Sequence, residues 1–395
     1  MRILLHGNPP DAHSGYGVQL GLLGPRLAAL GHEVAYSANT RVNLPATTWK
    51  SGVPMPGRPG ATVHPVYSAG IMEYGVDSLP GHYADFGADL LILLCDVWEF
   101  DPATIAGLRT AAWLPVDCDP LSAGDRRFLE AANVTPIAMS RHGQRMLEQA
   151  GRLAKYVPHG LDVDIYKPGD RSAARAALGL GDQTFAVGIN AQNVERKALV
   201  QSLAGFAAFH RAHPDSVLFL HSTTVPWPAG GGGGQAAYLP GVLESLGLTP
   251  ESVRIESHYD IVTCRIPAAR MAAWYNALDV LLAASMGEGF GVPVIEALAC
   301  GTPVIGTRCS TMPELIPNAV GWLVGGIDVW KDRHQAWWTL PDPRQISSAL
   351  GKALASAQHG GARRKACAEW GAQFDADRIV SDCWAPLLKE IEAGL

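Results

Sequence analysis

Residues 89–95 read DLLILLC, five aliphatic side chains in a row with Asp89 before them and Asp96 just after. A strand with one wet face alternates apolar and polar residues. An unbroken apolar run needs cover on both faces, and a parallel sheet held between helices supplies it. Comparable short runs recur at residues 111–116, 184–189, 217–221, 280–284 and 303–307. The intervening stretches have helical spacing. Residues 2–6 read as a first strand, followed by a loop of Gly, Pro, Asp and Ser. Then Val18, Leu22, Leu23, Leu27 and Leu30 recur on one helix face, and Gly31 can close the helix. Residues 33–37 read as the next strand. Strand, glycine-rich loop, helix and strand make a βαβ unit, from which parallel sheets are built.

The pattern occurs twice. A chain of 395 residues is long for one core, and 48% apolar residues suffice for two. Residues 156–157 are the last short strand of the first set. The second set starts with a strand at 184–189, a helix over 197–213 and a strand at 217–221. The expected class is α/β, with domains at 1–168 and 169–370. Residues 371–395 form a C-terminal helix packing back toward the first domain, and the tail's apolar anchors are Trp370, Phe374, Ile379, Trp384 and Leu388. Residues 42–65 are rich in Pro and Gly and show no clear element. The run Gly230–Gly234 reads as a flexible insertion, because glycine gains no packing and loses much entropy on ordering.

With 17% charged residues and a net charge of -6, bulk electrostatics give nucleic-acid binding no support. Residues 1–5 are too short for a signal-peptide apolar segment. Residues 89–98 are too short to span a bilayer. The chain reads as soluble and cytoplasmic, with a peripheral membrane association still compatible. Seven cysteines without CxxC spacing, and thirteen histidines without HExxH, point to reduced thiols and no protein-ligated metal.

The segment GEGFGVPVIEALACGTPVIG, residues 287–306, sets Glu288 and Glu296 eight residues apart. Pro293 suits the first turn of a helix starting near Val292. Glu288 therefore lies in the loop at the carboxyl end of a parallel strand, where open α/β sheets bind ligands. Glu296 lies about one turn inside the helix. Helix N-termini favour phosphate, and a nearby carboxylate can take sugar hydroxyls, so a nucleotide sugar suits the combination. A glutamate in the first turn of any helix is also favourable through the dipole alone.

This segment resembles the E-x7-E signature of the family-4 retaining glycosyltransferases, which have the GT-B fold of two Rossmann-like domains facing a central cleft. SGYGVQL at residues 14–20 resembles that family's first glycine-rich loop. PHGLDVDIYKP at 158–168 is similar to its PNGVD-x-x-x-F-x-P segment. RMAAWYNALDVLLAAS at 270–285 resembles its LYNAADVFLLPS approach to the signature, and STMPEL at 310–315 its following loop, ending near Glu314. The resemblance implies a nucleotide-diphospho-sugar donor, UDP- or GDP-linked, and no tightly bound cofactor. It implies that Glu296 bonds the donor's ribose and Glu288 lies near the sugar hydroxyls. Phe290 and Gly291 would present amides to sugar and phosphates, in the loop completed by Gly289 and Val292. Asn190 opens the segment NAQNVERKAL, in which Lys197 matches the lysine of the family's R-x4-K diphosphate contact. Gln192 stands where the arginine would be, and Arg196 is the local substitute. A cation there offsets the charge that develops on a leaving nucleoside diphosphate.

On the acceptor side the family carries a His-Asp pair. Here Asp117 matches the acid, no histidine precedes it, and Asp119 follows. The bland reading is an Asx-type turn before Pro120. Gly15 and Gly17, beside His13 and Ser14, would give close backbone approach. His142 and His159 also lie near strand ends. The implied reaction is front-face transfer with retention to an acceptor hydroxyl on a glycan, lipid-linked, protein or small-molecule partner. Domain closure about a join near Pro168 would exclude water. Homo-oligomerisation is compatible, and residues 329–343, with Trp330, Trp337 and Trp338, could be an acceptor platform, a packing arm or an oligomer contact. The alternatives are a non-catalytic nucleotide-sugar or glycan-binding protein and a sugar phosphorylase. A Rossmann dehydrogenase fits poorly, since GNPPDAHSGYG lacks G-x-G-x-x-G spacing.

Overall fold

The computed structural model of this chain describes residues 1–10, 12, 14–40, 49–52, 63–181, 183–225, 236–263, 265–359 and 361–394. The glycine run 230–234, His13 and most of the segment 42–65 lie outside them. The chain forms two units. One comprises Met1–Asp162 with Lys331–Ala336 and Phe374–Leu395, and the other comprises Val163–Trp330 with Trp337–Gln373.

The first unit holds an eight-stranded sheet of β1 (Arg2–Gly7), β2 (Glu33–Ala38), β3 (Trp49–Gly52), β4 (Val63–Tyr67), β5 (Leu90–Leu94), β6 (Thr110–Leu114), β7 (Val134–Ala138) and β8 (Lys155–Tyr156). The order is β3-β4-β2-β1-β5-β6-β7-β8, and only the β3–β4 pair is antiparallel. Every residue of β5 and β6 is buried, as an unbroken apolar run requires. Helix Gly15–Ala29 lies close enough to β2 that a Cβ at Gly24 would meet the Tyr36 hydroxyl at 2.0 Å. Only glycine fits there.

The C-terminal segment Phe374–Leu395 belongs to this unit. Leu161 bridges Asp375, Arg26 Nε lies 2.7 Å from an Asp377 carboxylate oxygen, and Trp384 stands edge-on to Trp113 at 5.0 Å. Trp384 is fully buried. Trp384→Ala should therefore cost about 3–5 kcal/mol. Guanidinium unfolding checks this, and an unchanged transition would mean the tail adds nothing to the unit.

The second unit holds β9 (Phe185–Asn190), β10 (Ser216–His221), β11 (Val253–Ile255), β12 (Val280–Ala283), β13 (Val304–Thr307) and β14 (Gly321–Val324). They pair in parallel in the order β11-β10-β9-β12-β13-β14. Val187, Ile189, Leu218, Val280, Leu282 and Ile305 fill one core with Leu203, Phe206, Ile346 and Leu350 from helices Leu199–Ala212 and Pro343–Gln358. The order reverses between β9 and β12. Loops leaving their carboxyl ends turn opposite ways and leave a crevice.

One detail differs from the sequence expectation, and a second adds to it. Residues 197–213 are not one helix: Ala198 has φ 46°, which separates the single turn Glu195–Lys197 from helix Leu199–Ala212. Arg196 and Lys197 thus sit in a turn beside the crevice. The tryptophan-rich segment, for which local spacing gives no element, forms a two-stranded sheet, β15 (Gly326–Lys331) and β16 (Ala336–Pro341).

Candidate functional site

The crevice between β9 and β12 collects the expected residues of the second unit. Arg196 and Lys197 follow β9; Ser285 and Glu288 follow β12. Glu288 is buried and accepts from Lys197 Nζ at 2.6 Å, Arg196 Nη1 at 3.0 Å and Ser285 Oγ at 2.6 Å. Arg196 also donates to the Gly287 carbonyl. Burial alone would raise the Glu288 carboxyl, but Lys197 and Arg196 outweigh it and hold the pKa at about 2. A folded pKa depressed below the unfolded one adds stability above the ordinary carboxylate range, lost as pH falls through about 2.

The loop carrying Glu288 is pinned from β13's far end. Glu288 N–H donates to Ser310 Oγ at 2.9 Å, and Thr311 Oγ1 donates to the carbonyls of Glu288 at 2.7 Å and Gly289 at 3.0 Å. Phe290 is buried. Gly291, at φ 108°, turns the chain into helix Val292–Ala299. A side chain there would be strained, and its Cβ would meet Met312 Cε at 2.8 Å.

Glu296 lies in that helix, buried, and accepts from the Tyr275 hydroxyl at 2.9 Å. Asn190 Nδ2, at the end of β9, donates to the same hydroxyl at 2.7 Å. Tyr166 is a second hydrogen-bond partner of the carboxylate. Burial pushes the Glu296 carboxyl up to about 7 against the lowering effect of the two phenols. One loop and helix therefore carry two acids of different character, Glu288 held ionised and Glu296 changing charge near neutral pH.

The remaining expected residues lie in the first unit. Ser14 caps helix Gly15–Ala29, its Oγ accepting from Gly17 N–H at 3.1 Å. A Cβ at Gly17 would meet the Ala12 and Pro9 carbonyls at 2.5 and 2.7 Å, so this glycine answers to its own loop. Around Gly15 the space is open. Asp117 follows β6, beside Cys118 and the buried Asp125. Burial raises Asp125 to about 7, against a bond from Ser122 Oγ at 2.7 Å. Where this sheet's order reverses, between β1 and β5, Tyr16 donates to Asp96 at 3.0 Å. His142 and His159 are buried and kept neutral by burial, His142 against the Cys118 carbonyl at 3.0 Å and His159 edge-on to Trp113.

Sequence reading did not single out Tyr275, Tyr166, Ser285, Ser310, Thr311, Asp96 or Asp125. Tyr275 and Ser285 lie inside the quoted segment 270–285, and Asp125 stands three residues after Ser122, the spacing of a helix cap. Among the described residues, no group of three or more His, Cys, Asp or Glu could hold a metal ion, and no helix is long and apolar enough to cross a membrane.

Residues 243–336 match the family model described as Glycosyl transferases group 1. A D-inositol 3-phosphate glycosyltransferase of Segniliparus rotundus is 30% identical over 199 residues, covering 48% of this chain and 41% of that protein. One from Mycolicibacterium smegmatis is 27% identical over 303 residues, covering 71% of this chain and 61% of that protein. The matches to the first three such relatives span less than half of each relative's length. Sucrose-phosphate synthase from Thermosynechococcus elongatus superposes with a TM-score of 0.77 at 18% identity, over 100% of both chains. Anabaena Alr3699/HepE in complex with UDP-glucose gives 0.71 at 16% identity, over 98% of this chain and 100% of that one. At such identities the likeness is one of fold, and the fold is GT-B. Two successive Rossmann-like sheets, a C-terminal segment returning to the first, and an E-x7-E loop at the second sheet's reversal point accord with that fold, and within it residues 243–336 carry the similarity to the group 1 glycosyl transferases.

Proposed function

We propose that the chain is a retaining glycosyltransferase that moves a hexose from a nucleotide-diphospho-sugar to an acceptor hydroxyl by front-face transfer. The observation that carries this reading is the clamp in which Glu288 holds Arg196 and Lys197 at 3.0 and 2.6 Å beside the reversal of the second sheet. Its two cations are aimed by a buried acid rather than by solvent, which is the preorganisation that charge development on a leaving diphosphate requires. Glu296, on the helix that follows, takes the ribose hydroxyls. UDP-glucose is the ligand of the Anabaena structure, and UDP-, GDP- and ADP-sugars are the donors to compare.

In the reaction the bond from the sugar's anomeric carbon to the diphosphate oxygen breaks. The acceptor oxygen bonds that carbon from the same face, and its proton passes to the departing phosphate oxygen. Arg196 and Lys197 take up the negative charge, so no side chain forms a covalent intermediate.

The test is donor binding and slow hydrolysis across UDP-, GDP- and ADP-sugars, with Glu296→Ala measured beside the native chain. One preferred donor, weakened in E296A, is expected. A folded chain that binds none of them removes the transferase reading. Transfer is then assayed with D-inositol 3-phosphate, the substrate in the relatives' names, and with oligosaccharides.

A further inference from the structure

The turn between β15 and β16 is only four residues long, so the strands form an antiparallel hairpin. Side chains alternate along it. Ala336 and Trp338 are buried, while Trp330 and Trp337 are 43% and 47% exposed. The two exposed indoles meet across the hairpin with centroids 5.2 Å apart and planes at 68°. One step along the same face, Thr339 Oγ1 donates to Asp328 Oδ1 at 2.8 Å. The outward face is therefore an open angle of two aromatic planes with a carboxylate–hydroxyl pair at its side.

Two features say what such a face takes. Half of two indoles amounts to roughly 250 Å², well short of the about 800 Å² per partner of a stable protein interface. A second copy of the chain is thus poorly matched, whereas one or two sugar rings are of the right size. A pyranose presents C–H groups on its faces and hydroxyls at its rim. The C–H groups meet the negative face of an aromatic ring, and the hydroxyls bond a carboxylate such as Asp328. The hairpin is also tied to the donor loop, since Thr339 N–H donates to the Met286 carbonyl at 3.0 Å, two residues before Glu288.

We propose that the Trp330–Trp337 face is a carbohydrate subsite that binds pyranose rings of a glycan acceptor, with Asp328 accepting their hydroxyls. The acceptor role rests on the transferase reading; the binding of sugar does not. The probes are maltotriose, cellotriose and mannotriose, followed by saturation-transfer NMR on the native chain, W330A/W337A, W330F/W337F, D328N and E296A. Transfer to ring C–H protons is expected for at least one probe. Its apparent affinity should fall at least tenfold in W330A/W337A, fall a few-fold in D328N, and survive in W330F/W337F and in E296A. The proposal is overturned if no probe binds the native chain or if the double alanine variant binds as well. It is equally overturned if binding is lost in E296A alone, which would put the sugar in the donor crevice, or if light scattering shows a native dimer that W330A/W337A breaks. Tryptophan-dependent binding by a chain that binds no nucleotide sugar would leave the subsite standing and remove the transferase reading.

Discussion

Lys197→Ala lowers kcat by about 10²–10³, the usual cost of removing one preorganised group that stabilises developing charge, while KM for the donor changes far less. The split follows from when the charge appears: the diphosphate gains its extra negative charge as it leaves, so the lysine contributes most in the transition state. Its geometry supports that use. Nζ is held 2.6 Å from Glu288, which is itself fixed by Arg196 and Ser285. Lys197→Arg keeps the charge and should recover part of the loss in kcat. Steady-state kinetics with the preferred donor decides. An unchanged kcat in a folded K197A chain would place the phosphate clamp elsewhere. Because Glu288 keeps Arg196 as partner in that variant, the buried acid is not left alone, and the fold should survive.

Donor affinity rises with pH between about 6 and 8 in the native chain and loses that dependence in Glu296→Gln. The carboxyl titrates at about 7, and only its ionised form accepts from both hydroxyls of a ribose. Below the pKa, affinity should fall by up to tenfold per pH unit; above it, affinity should level off. E296Q, which can still accept one bond, should bind donor about 10–100-fold more weakly at pH 8. Stability runs the other way. Between the ordinary carboxylate range and about pH 7 the folded state binds more protons than the unfolded one, so this group's contribution is present at low pH and is lost as pH rises through about 7. E296Q is thus expected to be more stable than the native chain at pH 8 while binding donor less well. Calorimetric titrations at several pH values and thermal unfolding of both chains check the pair of statements. A flat pH profile for the native chain would remove Glu296 from the ribose contact.

Much of this was legible in the chain itself, because it depends on local physics. Apolar runs such as residues 90–94 announce buried parallel strands. Pro293 and the glycines around it announce the helix start at Val292 that sets Glu296 a turn inside. The E-x7-E spacing, with the segments quoted before and after it, carried the resemblance to the family-4 glycosyltransferases. What the sequence alone could not supply was which distant groups these residues meet. Glu288 lies more than ninety positions from Arg196 and Lys197 by the chain, and they bond only because β9 and β12 are neighbours in the sheet. Asn190, Tyr275 and Glu296 come into one line for the same reason. Propensity and periodicity act over a few residues, whereas strand order is decided by the packing of the whole sheet. The turn at Ala198 and the Trp330–Trp337 pairing were likewise decided by tertiary structure. The first replaces a run that local spacing reads as continuous helix, and the second needs two strands in register. The different titration of the two acids has the same origin: burial raises both carboxyls, the two cations that the fold delivers to Glu288 outweigh it, and the phenols it delivers to Glu296 do not.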